Sequence, residues 1–153
     1  MTDWKELVRR LELAPHPEGG YYRETYRSKF STAIYYLLPP KGVSRLHRLK
    51  SDEVFHHYLG GPMHLVELSP DGGAKTTLIG SDPAAGHRLQ HVVPAGNWFG
   101  GWAEDEFALV GCTVAPAFEF ANFELGDREA LLKSYPSASA LVERLMGPTP
   151  SGR

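Results

Sequence analysis

The chain has 153 residues and a mass of 16.9 kDa, the length of a single domain with a substantial core. Sixteen basic and eighteen acidic side chains give a net charge of −2, which argues against nucleic acid or an anionic membrane as a partner. Cys112 is the only cysteine, so an intrachain disulfide is excluded, and we identify neither a signal peptide nor an apolar span of membrane length. These features predict a cytoplasmic protein whose partners are small molecules or proteins.

The first predicted element is a helix over residues 3–12. Asp3 and Glu6 form a capping-box pattern, and apolar residues then recur at helical spacing. Pro15 and Pro17 end the helix because proline interrupts its hydrogen-bond pattern. The helix should therefore present one apolar face to the rest of the domain.

Residues 21–123 consist of short runs rich in β-branched and aromatic residues, separated by glycine and proline. Breaks at such intervals are typical of a β-sandwich or barrel. The clearest predicted hairpin joins residues 64–68 to 75–79, because two adjacent glycines between them allow the positive φ values of a tight reversal. A second, longer hairpin is predicted between residues 91–93 and 107–114.

The helical period returns after Phe123, where Asp127 is positioned as a helix cap and Pro136 opens a last helix. The predicted fold is therefore mainly β, with an N-terminal helix and short C-terminal helices. We expect residues 1–146 to form one domain and residues 147–153 to be a disordered tail.

Residues 42–60 have the spacing of a metal site from which a ligand is missing. They resemble the first signature of the cupin superfamily, Gly…His-x-His-x3-Glu-x6-Gly, with Leu49 in place of the second histidine. The second signature, Gly-x5-Pro-x-Gly-x2-His-x3-Asn, is matched at Pro94 and Gly96, whereas Phe99 stands at its histidine. Because two of the three usual imidazole ligands are absent, we expect no metal cofactor.

The resemblance is more specific to the fifth cupin family, an uncharacterised branch of the superfamily. Five ordered blocks carry it, at residues 13–24, 44–48, 52–55, 92–98 and 114–120. The resemblance implies a double-stranded β-helix, or cupin jelly roll, and a homodimer, and it implies no settled reaction.

A looser likeness connects residues 20–24 and His47 with the cupin-fold sugar-nucleotide epimerases. Those enzymes carry a Gly-x-Phe-x-Glu-type element near the N-terminus and use a barrel histidine as a base. In this sequence the element reads Gly-Tyr-Tyr-Arg-Glu. A five-residue element of this kind also recurs by chance, so the likeness is distant.

The cupin signature and the two-residue period of a strand indicate which side chains enter the barrel. On the first strand His47 and Leu49 face inward, and the same parity turns Arg45 inward. Glu53 opens the next strand after a short turn. The side chains predicted to face inward on these two strands are Arg45, His47, Leu49, Glu53, Phe55, His57 and Leu59.

An inward imidazole beside a carboxylate is equipped to move a proton near neutral pH, with Glu53 fixing the tautomer of His47. The first hypothesis is a metal-independent isomerase or epimerase of a small sugar-like ligand, with His47 and Glu53 as catalytic residues. One alternative is a non-catalytic barrel that binds a small molecule. Another is a metal-binding cupin that uses His47, Glu53 and His57 as ligands.

Basic residues near the predicted pocket mouth would suit a phosphate or carboxylate, so the ligand is predicted to be anionic or sugar-like. Arg48 and Lys50 are assigned to a solvated face. Aromatic residues could line the cavity, although core packing is their commoner role. The predicted ligand contacts are Tyr36, Arg45, Phe55, His57, Gln90, Trp98 and Phe99. No motif supports a role for the remaining candidates, which are His16, His64, His87, His91 and Cys112.

Overall fold

A computed structural model describes residues 3–147 of the chain. Within these residues three α-helices flank eleven strands. The helices are α1 (Trp4–Arg10), α2 (Arg128–Ser134) and α3 (Ser139–Met146). The strands are β1 (Ala14–Pro15), β2 (Tyr21–Arg27), β3 (Thr32–Leu38), β4 (Val43–Arg48), β5 (Asp52–Gly60), β6 (Met63–Leu68), β7 (Ala74–Ile79), β8 (Gln90–Val93), β9 (Trp98–Ala103), β10 (Ala108–Ala115) and β11 (Glu124–Leu125). Apart from Gly147, the predicted tail lies outside the described residues.

The strands form two antiparallel sheets that pack face to face. One sheet has the order β1-β2-β3-β10-β5-β8, and the other has the order β11-β4-β9-β6-β7. Inward side chains of both sheets form one core, which includes Leu38, Phe55, Leu65, Phe99 and Val110. The predicted mainly β jelly-roll architecture is confirmed.

The predicted helices are also confirmed, and they cover the outer faces of the sheets. Asp3 caps α1 by accepting a hydrogen bond from the Lys5 amide at 3.1 Å, and Leu7 of this helix packs against the six-stranded sheet. Asp127 caps α2 in the same way, and α2 and α3 pack against Leu46 of the five-stranded sheet. In this part of the chain no helix is long and apolar enough to cross a membrane.

One hairpin is predicted correctly and the other is wrong. Strands β6 and β7 pair as expected, with Glu67 opposite Lys75. The second hairpin does not form, because β9 lies between its two arms in sequence, β8 pairs with β5, and β10 pairs with β3 and β5.

Strand β9 is not recognised in the sequence because it contains two adjacent glycines, Gly100 and Gly101, which resemble turn residues. A Cβ on Gly101 would lie 2.4 Å from the His64 carbonyl oxygen, so glycine here marks a close approach of two strands and not a turn.

Two β-bulges change which side chains face the barrel. The pairing of β4 with β9 shifts between Ser44 and His47. In a regular strand one residue separates two side chains on the same face, whereas here two residues separate the buried Ser44 and His47. Arg45 therefore lines a surface cleft, contrary to the predicted parity. A second shift, between β5 and β10, turns Leu59 outward, where it is 45% exposed.

Candidate active site

A pocket of about 430 Å³ opens between the sheets at one end of the barrel. Its wall includes parts of β2, β3, β4, β5 and β10, together with the segment after α1 and the segment after β10. The volume is in the range of sites for small molecules. The titratable lining residues whose side chains are buried are His16, Glu18, His47, Glu53 and Cys112.

His47 contacts Glu18, a carboxylate that the sequence does not single out. Nδ1 of His47 lies 2.8 Å from Oε2 of Glu18 and 2.8 Å from the Arg45 carbonyl oxygen. Only 6% of the His47 side chain and 8% of the Glu18 side chain are exposed. The Nδ1–H bond is aligned with the Arg45 carbonyl. Oε2 of Glu18 is enclosed and has no aligned donor among residues 3–147.

These two neighbours determine the tautomer of His47. Both are acceptors, so Nδ1 carries a proton, and in the neutral imidazole Nε2 is then the basic nitrogen. The imidazole lines the pocket, and within the described residues Nε2 has no hydrogen-bond partner. Nε2 is therefore the nitrogen that a ligand in the pocket can reach.

The N-terminal strap, residues 16–20, brings Glu18 to this position. The Arg45 amide donates to the Glu18 carbonyl at 2.8 Å, which fastens the strap to β4. Gly19 has a φ of +110°, and a Cβ there would lie 2.2 Å from the Val43 carbonyl oxygen, so only glycine fits. Tyr36 donates a hydrogen bond from its hydroxyl to the Gly19 carbonyl and holds the strap from the other side.

Two phenylalanine rings fix the imidazole plane. The ring of Phe99 lies 4.1 Å from that of His47, and the ring of Phe123 lies 5.4 Å away at an interplanar angle of 30°. Aromatic neighbours at such distances restrict rotation of the imidazole and exclude water from its faces. Only the ring edge that carries Nε2 is left for a ligand.

Glu53 is a second buried carboxyl group in the pocket, and it lies beside the Cys112 thiol. It is 8% exposed, and no basic group of the described residues lies within 4 Å of it. Burial raises the pKa of Glu53 to about 7, although the nearby charge of His47 opposes the shift. Near neutral pH this carboxyl group is therefore able both to donate and to accept a proton.

Burial and neighbouring charges also set the protonation of the other groups. Burial lowers the pKa of His47, but the negative charges of Glu18 and Glu53 outweigh this effect, so the pKa is raised above 6.5. Burial lowers the pKa of His16, which remains neutral. Burial raises the pKa of the Cys112 thiol well above its usual value, so it is not a nucleophile near neutral pH.

The structure brings only part of the predicted site together. His47 and Glu53 both line the pocket, whereas the predicted contact between them is replaced by the contact of His47 with Glu18. Tyr36, Phe55 and Phe99 lie behind the pocket wall as core residues. A sequence pattern does not show how deep an inward side chain lies, so it cannot distinguish these three core residues from residues of the cavity lining.

Four predicted ligand contacts lie outside the pocket. The bulge turns Arg45 away, and Gln90 lies on the outer sheet face beside His56. The Arg48 guanidinium stacks on the ring of Trp98 at 4.3 Å, on the side of the five-stranded sheet that faces α2 and α3. His57 donates from Nε2 to the Gly61 carbonyl at 3.1 Å, farther along β5.

The residues present do not fit the metal that a cupin signature implies. Leu49 and Phe99 place apolar groups beside His47, where further ligands would be needed. Across the described chain, no three His, Cys, Asp or Glu side chains are grouped so that they could hold a metal ion. His57, the third ligand of the metal-binding alternative, is outside the pocket. A divalent transition metal needs more nitrogen, oxygen or sulfur donors than this arrangement supplies.

His16 and Glu18 are buried pocket residues to which the sequence interpretation gives no role. They lie in a segment with no strand or helix period, so no local pattern predicts where their side chains point. The available signal was composition, because Pro15-His16-Pro17-Glu18-Gly19-Gly20 combines turn residues with two groups that can exchange protons. The same segment belongs to the first block of the family resemblance.

Replacing Glu18 by Gln is expected to lower the pKa of His47, because burial then acts without the opposing charge. In the wild-type protein the raised pKa means that protonated His47 stabilises the fold. This contribution is complete below pH 6.5 and is lost as the pH rises through the folded-state value. The measurement is a titration of the His47 ring carbon-13 signals by NMR. Glu24→Gln is the control, since Glu24 also lines the pocket but pairs with Arg27, and an unchanged His47 pKa in Glu18→Gln would contradict the assignment.

Comparisons with known proteins agree with this architecture. The family model described as "Cupin superfamily (DUF985)" matches residues 5–126. The crystal structure of protein SO0799 from Shewanella oneidensis is 41% identical in sequence, with a TM-score of 0.90, and the match covers 95% of this chain and 98% of that one. A hypothetical protein from Leishmania major is 31% identical with a TM-score of 0.88, and the match covers 94% of this chain and 98% of that one.

A similar sequence also occurs in yeast. The uncharacterized protein YML079W of Saccharomyces cerevisiae is 29% identical over 146 residues, which covers 77% of this chain and 72% of the yeast protein. None of these three descriptions states a reaction or a ligand. The chemistry must therefore be inferred from the pocket itself.

Proposed function

The chain belongs to the cupin family described as DUF985, and from that premise we propose that it is an enzyme that moves a proton on a small oxygenated ligand. His47 is the base in this proposal. The observation that carries it is the orientation of the imidazole, in which Nδ1 faces two acceptors and Nε2 faces the pocket. A buried imidazole oriented by a carboxylate is a common arrangement for general acid–base catalysis.

The reaction class is isomerisation of a carbonyl compound that carries a hydroxyl group on the adjacent carbon. Nε2 of His47 removes the proton from that carbon, and the electron pair moves onto the carbonyl oxygen, which takes a proton from Glu53. His47 then protonates the enediol at the former carbonyl carbon, while the Glu53 carboxylate takes the proton of the hydroxyl group on the first carbon, which becomes the new carbonyl group. Protons and electrons balance within the pocket, and the step needs only groups of this chain.

Glu18 has a positioning and electrostatic role in this proposal. Its charge raises the pKa of His47, which makes Nε2 a stronger base, and it stabilises the imidazolium that forms in the first step. Glu53 supplies the second proton because its pKa of about 7 leaves a fraction of it protonated at neutral pH. In each half of the reaction His47 exchanges the proton on carbon and Glu53 exchanges the proton on oxygen.

The alternative is a barrel that binds a small molecule without reaction. Phe118, Phe120 and Phe123 in the pocket wall support binding in either case, whereas the paired His47 and Glu18 favour catalysis. A homodimer and a cytoplasmic location stay predictions.

The proposal is tested by deuterium exchange in D2O. Dihydroxyacetone and α-hydroxyacetophenone both carry an acidic hydrogen next to a carbonyl, and loss of this hydrogen is followed by proton NMR. We expect the protein to accelerate exchange of at least one of them above the rate given by free imidazole at the same concentration. Absence of exchange for both compounds, with the protein folded, would count against catalysis and favour the binding alternative.

A further inference from the structure

The charged groups of the pocket wall are mostly acidic. Within residues 3–147 four glutamates line it, and Arg23 is the one arginine or lysine that does so. The Arg23 guanidinium is already engaged, since it donates to the Leu11 carbonyl at 3.3 Å and lies 3.5 Å from Glu12. A phosphate or carboxylate in the pocket would therefore find no free arginine or lysine among the described residues and would lie near Glu18 and Glu53.

The basic residues that suggest an anionic ligand in the sequence are directed elsewhere. Arg45 lines the surface cleft on the other side of the strap. Arg48 pairs with Glu124 at 2.9 Å and stacks on Trp98, and Lys50 is exposed and does not line the pocket. The predicted anionic ligand thus loses its structural support.

The inner charges of the pocket nearly cancel. Glu18 is paired with His47, and its negative charge raises the pKa of His47. Burial keeps much of Glu53 neutral, because its pKa is about 7. A ligand with a permanent positive charge would lose its hydration on entering this cavity. It would gain little in return, because the Glu18 carboxylate is already paired with His47.

One side of the pocket is an aromatic wall formed by residues 118–123. Phe118, Phe120 and Phe123 all line the cavity, and their ring centroids are 4.8 to 6.1 Å apart. The wall is held at both ends, because the Phe118 amide donates to the Thr32 hydroxyl at 3.1 Å and β11 pairs with β4. Phe120 is 54% exposed at the mouth, where an apolar ring of a ligand would cover it.

The polar groups of the pocket lie close to His47, which stacks on Phe123 of this wall. Nε2 of His47 has no hydrogen-bond partner among the described residues, so it is available to a ligand hydroxyl. Glu53 provides a carboxyl group that can donate to a carbonyl oxygen. An α-hydroxy carbonyl group matches both of these groups at once.

Building on the proposed function, we infer that the ligand is an uncharged α-hydroxy carbonyl compound that carries an apolar ring. The ring lies against Phe118 and Phe120, and the hydroxyl and carbonyl groups reach His47 and Glu53. This class excludes sugar phosphates and sugar nucleotides, whose phosphates would find no free arginine or lysine among the described residues of the wall.

The test uses four compounds of graded charge and shape. They are α-hydroxyacetophenone, its para-carboxylate, its para-trimethylammonium derivative, and dihydroxyacetone, which lacks the ring. Dissociation constants are measured by NMR titration of the wild-type chain. We expect α-hydroxyacetophenone to bind at least about tenfold more tightly than each of the other three compounds. Two of these compounds carry a charge that the pocket does not match, and the third lacks the ring.

Phe120→Ala tests the aromatic wall, with Phe30→Ala as a matched control. Both residues are exposed phenylalanines, at 54% and 71%, but Phe30 does not line the pocket. We expect Phe120→Ala to weaken binding of α-hydroxyacetophenone by about threefold to tenfold, since a ring contact is worth roughly 0.5–1.5 kcal/mol. Phe30→Ala should bind as the wild type does.

The outcomes separate this inference from the proposed function. Tight binding of α-hydroxyacetophenone without deuterium exchange keeps the ligand class and removes the catalytic proposal. Preferred binding or exchange of the carboxylate, the trimethylammonium compound or dihydroxyacetone overturns the ligand class, and exchange of any of them leaves the catalytic proposal standing. Failure of all four compounds to bind overturns the ligand class outright.

Discussion

Replacing His47 by Asn is expected to reduce deuterium exchange into α-hydroxyacetophenone by a factor of about 100 to 10,000, the range that general bases contribute. Asn retains an amide that can donate towards Glu18 and the Arg45 carbonyl, but it has no basic nitrogen. The loss should therefore appear in the rate constant, whereas the dissociation constant measured by NMR should change much less. The measurement is the exchange rate at saturating compound.

His57→Asn is the matched control for that experiment. His57 is on β5 but points to the Gly61 carbonyl, outside the pocket, so its replacement should leave the exchange rate close to the wild-type value. Thermal unfolding of both variants checks that the fold is intact. Full exchange activity in a folded His47→Asn variant would remove His47 as the base, and equal losses in both variants would indicate a structural cause.

The pattern of the sequence was sufficient for the architecture but not for the geometry of the site. The helix over residues 3–12 and the hairpin of β6 and β7 follow from local periodicity and turn chemistry, so they could be predicted. The family resemblance placed His47 and Glu53 in one barrel. Strand β9 was missed, because Gly100 and Gly101 look like turn residues unless the neighbouring strands are known.

The errors in the candidate site have two physical causes. A β-bulge is one extra residue in a pairing partner, and a single strand gives no sign of it, so the inward parity of Arg45 failed. Glu18 reaches His47 through a strap whose path depends on contacts with Tyr36 and β4. Such contacts join residues far apart in the chain and therefore lie outside any local pattern.

A second buried pair, formed by Glu67 and His91, joins the two sheets away from the pocket. Oε2 of Glu67 lies 2.6 Å from Nε2 of His91, and Nδ2 of Asn97 donates to Oε1 at 3.2 Å. Glu67 is on β6 of the five-stranded sheet, whereas His91 is on β8, the edge of the six-stranded sheet. The pair therefore connects the two sheets at this edge of the barrel.

Replacing His91 by Leu is expected to lower the free energy of unfolding by about 3–5 kcal/mol, because it leaves the Glu67 carboxylate buried without its closest partner. The side chain of Glu67 is 1% exposed, so water cannot replace the imidazole. The measurement is urea-induced unfolding followed by circular dichroism.

Lys75→Met is the matched control, since Lys75 approaches the same carboxylate at 3.8 Å but is 61% exposed. Its loss should cost about 1 kcal/mol or less. Similar losses of unfolding free energy in the two variants would contradict the prediction, because the buried partner would then matter no more than the exposed one. Recovery of stability in the double variant Glu67→Leu/His91→Leu would show that the cost comes from the unpaired charge.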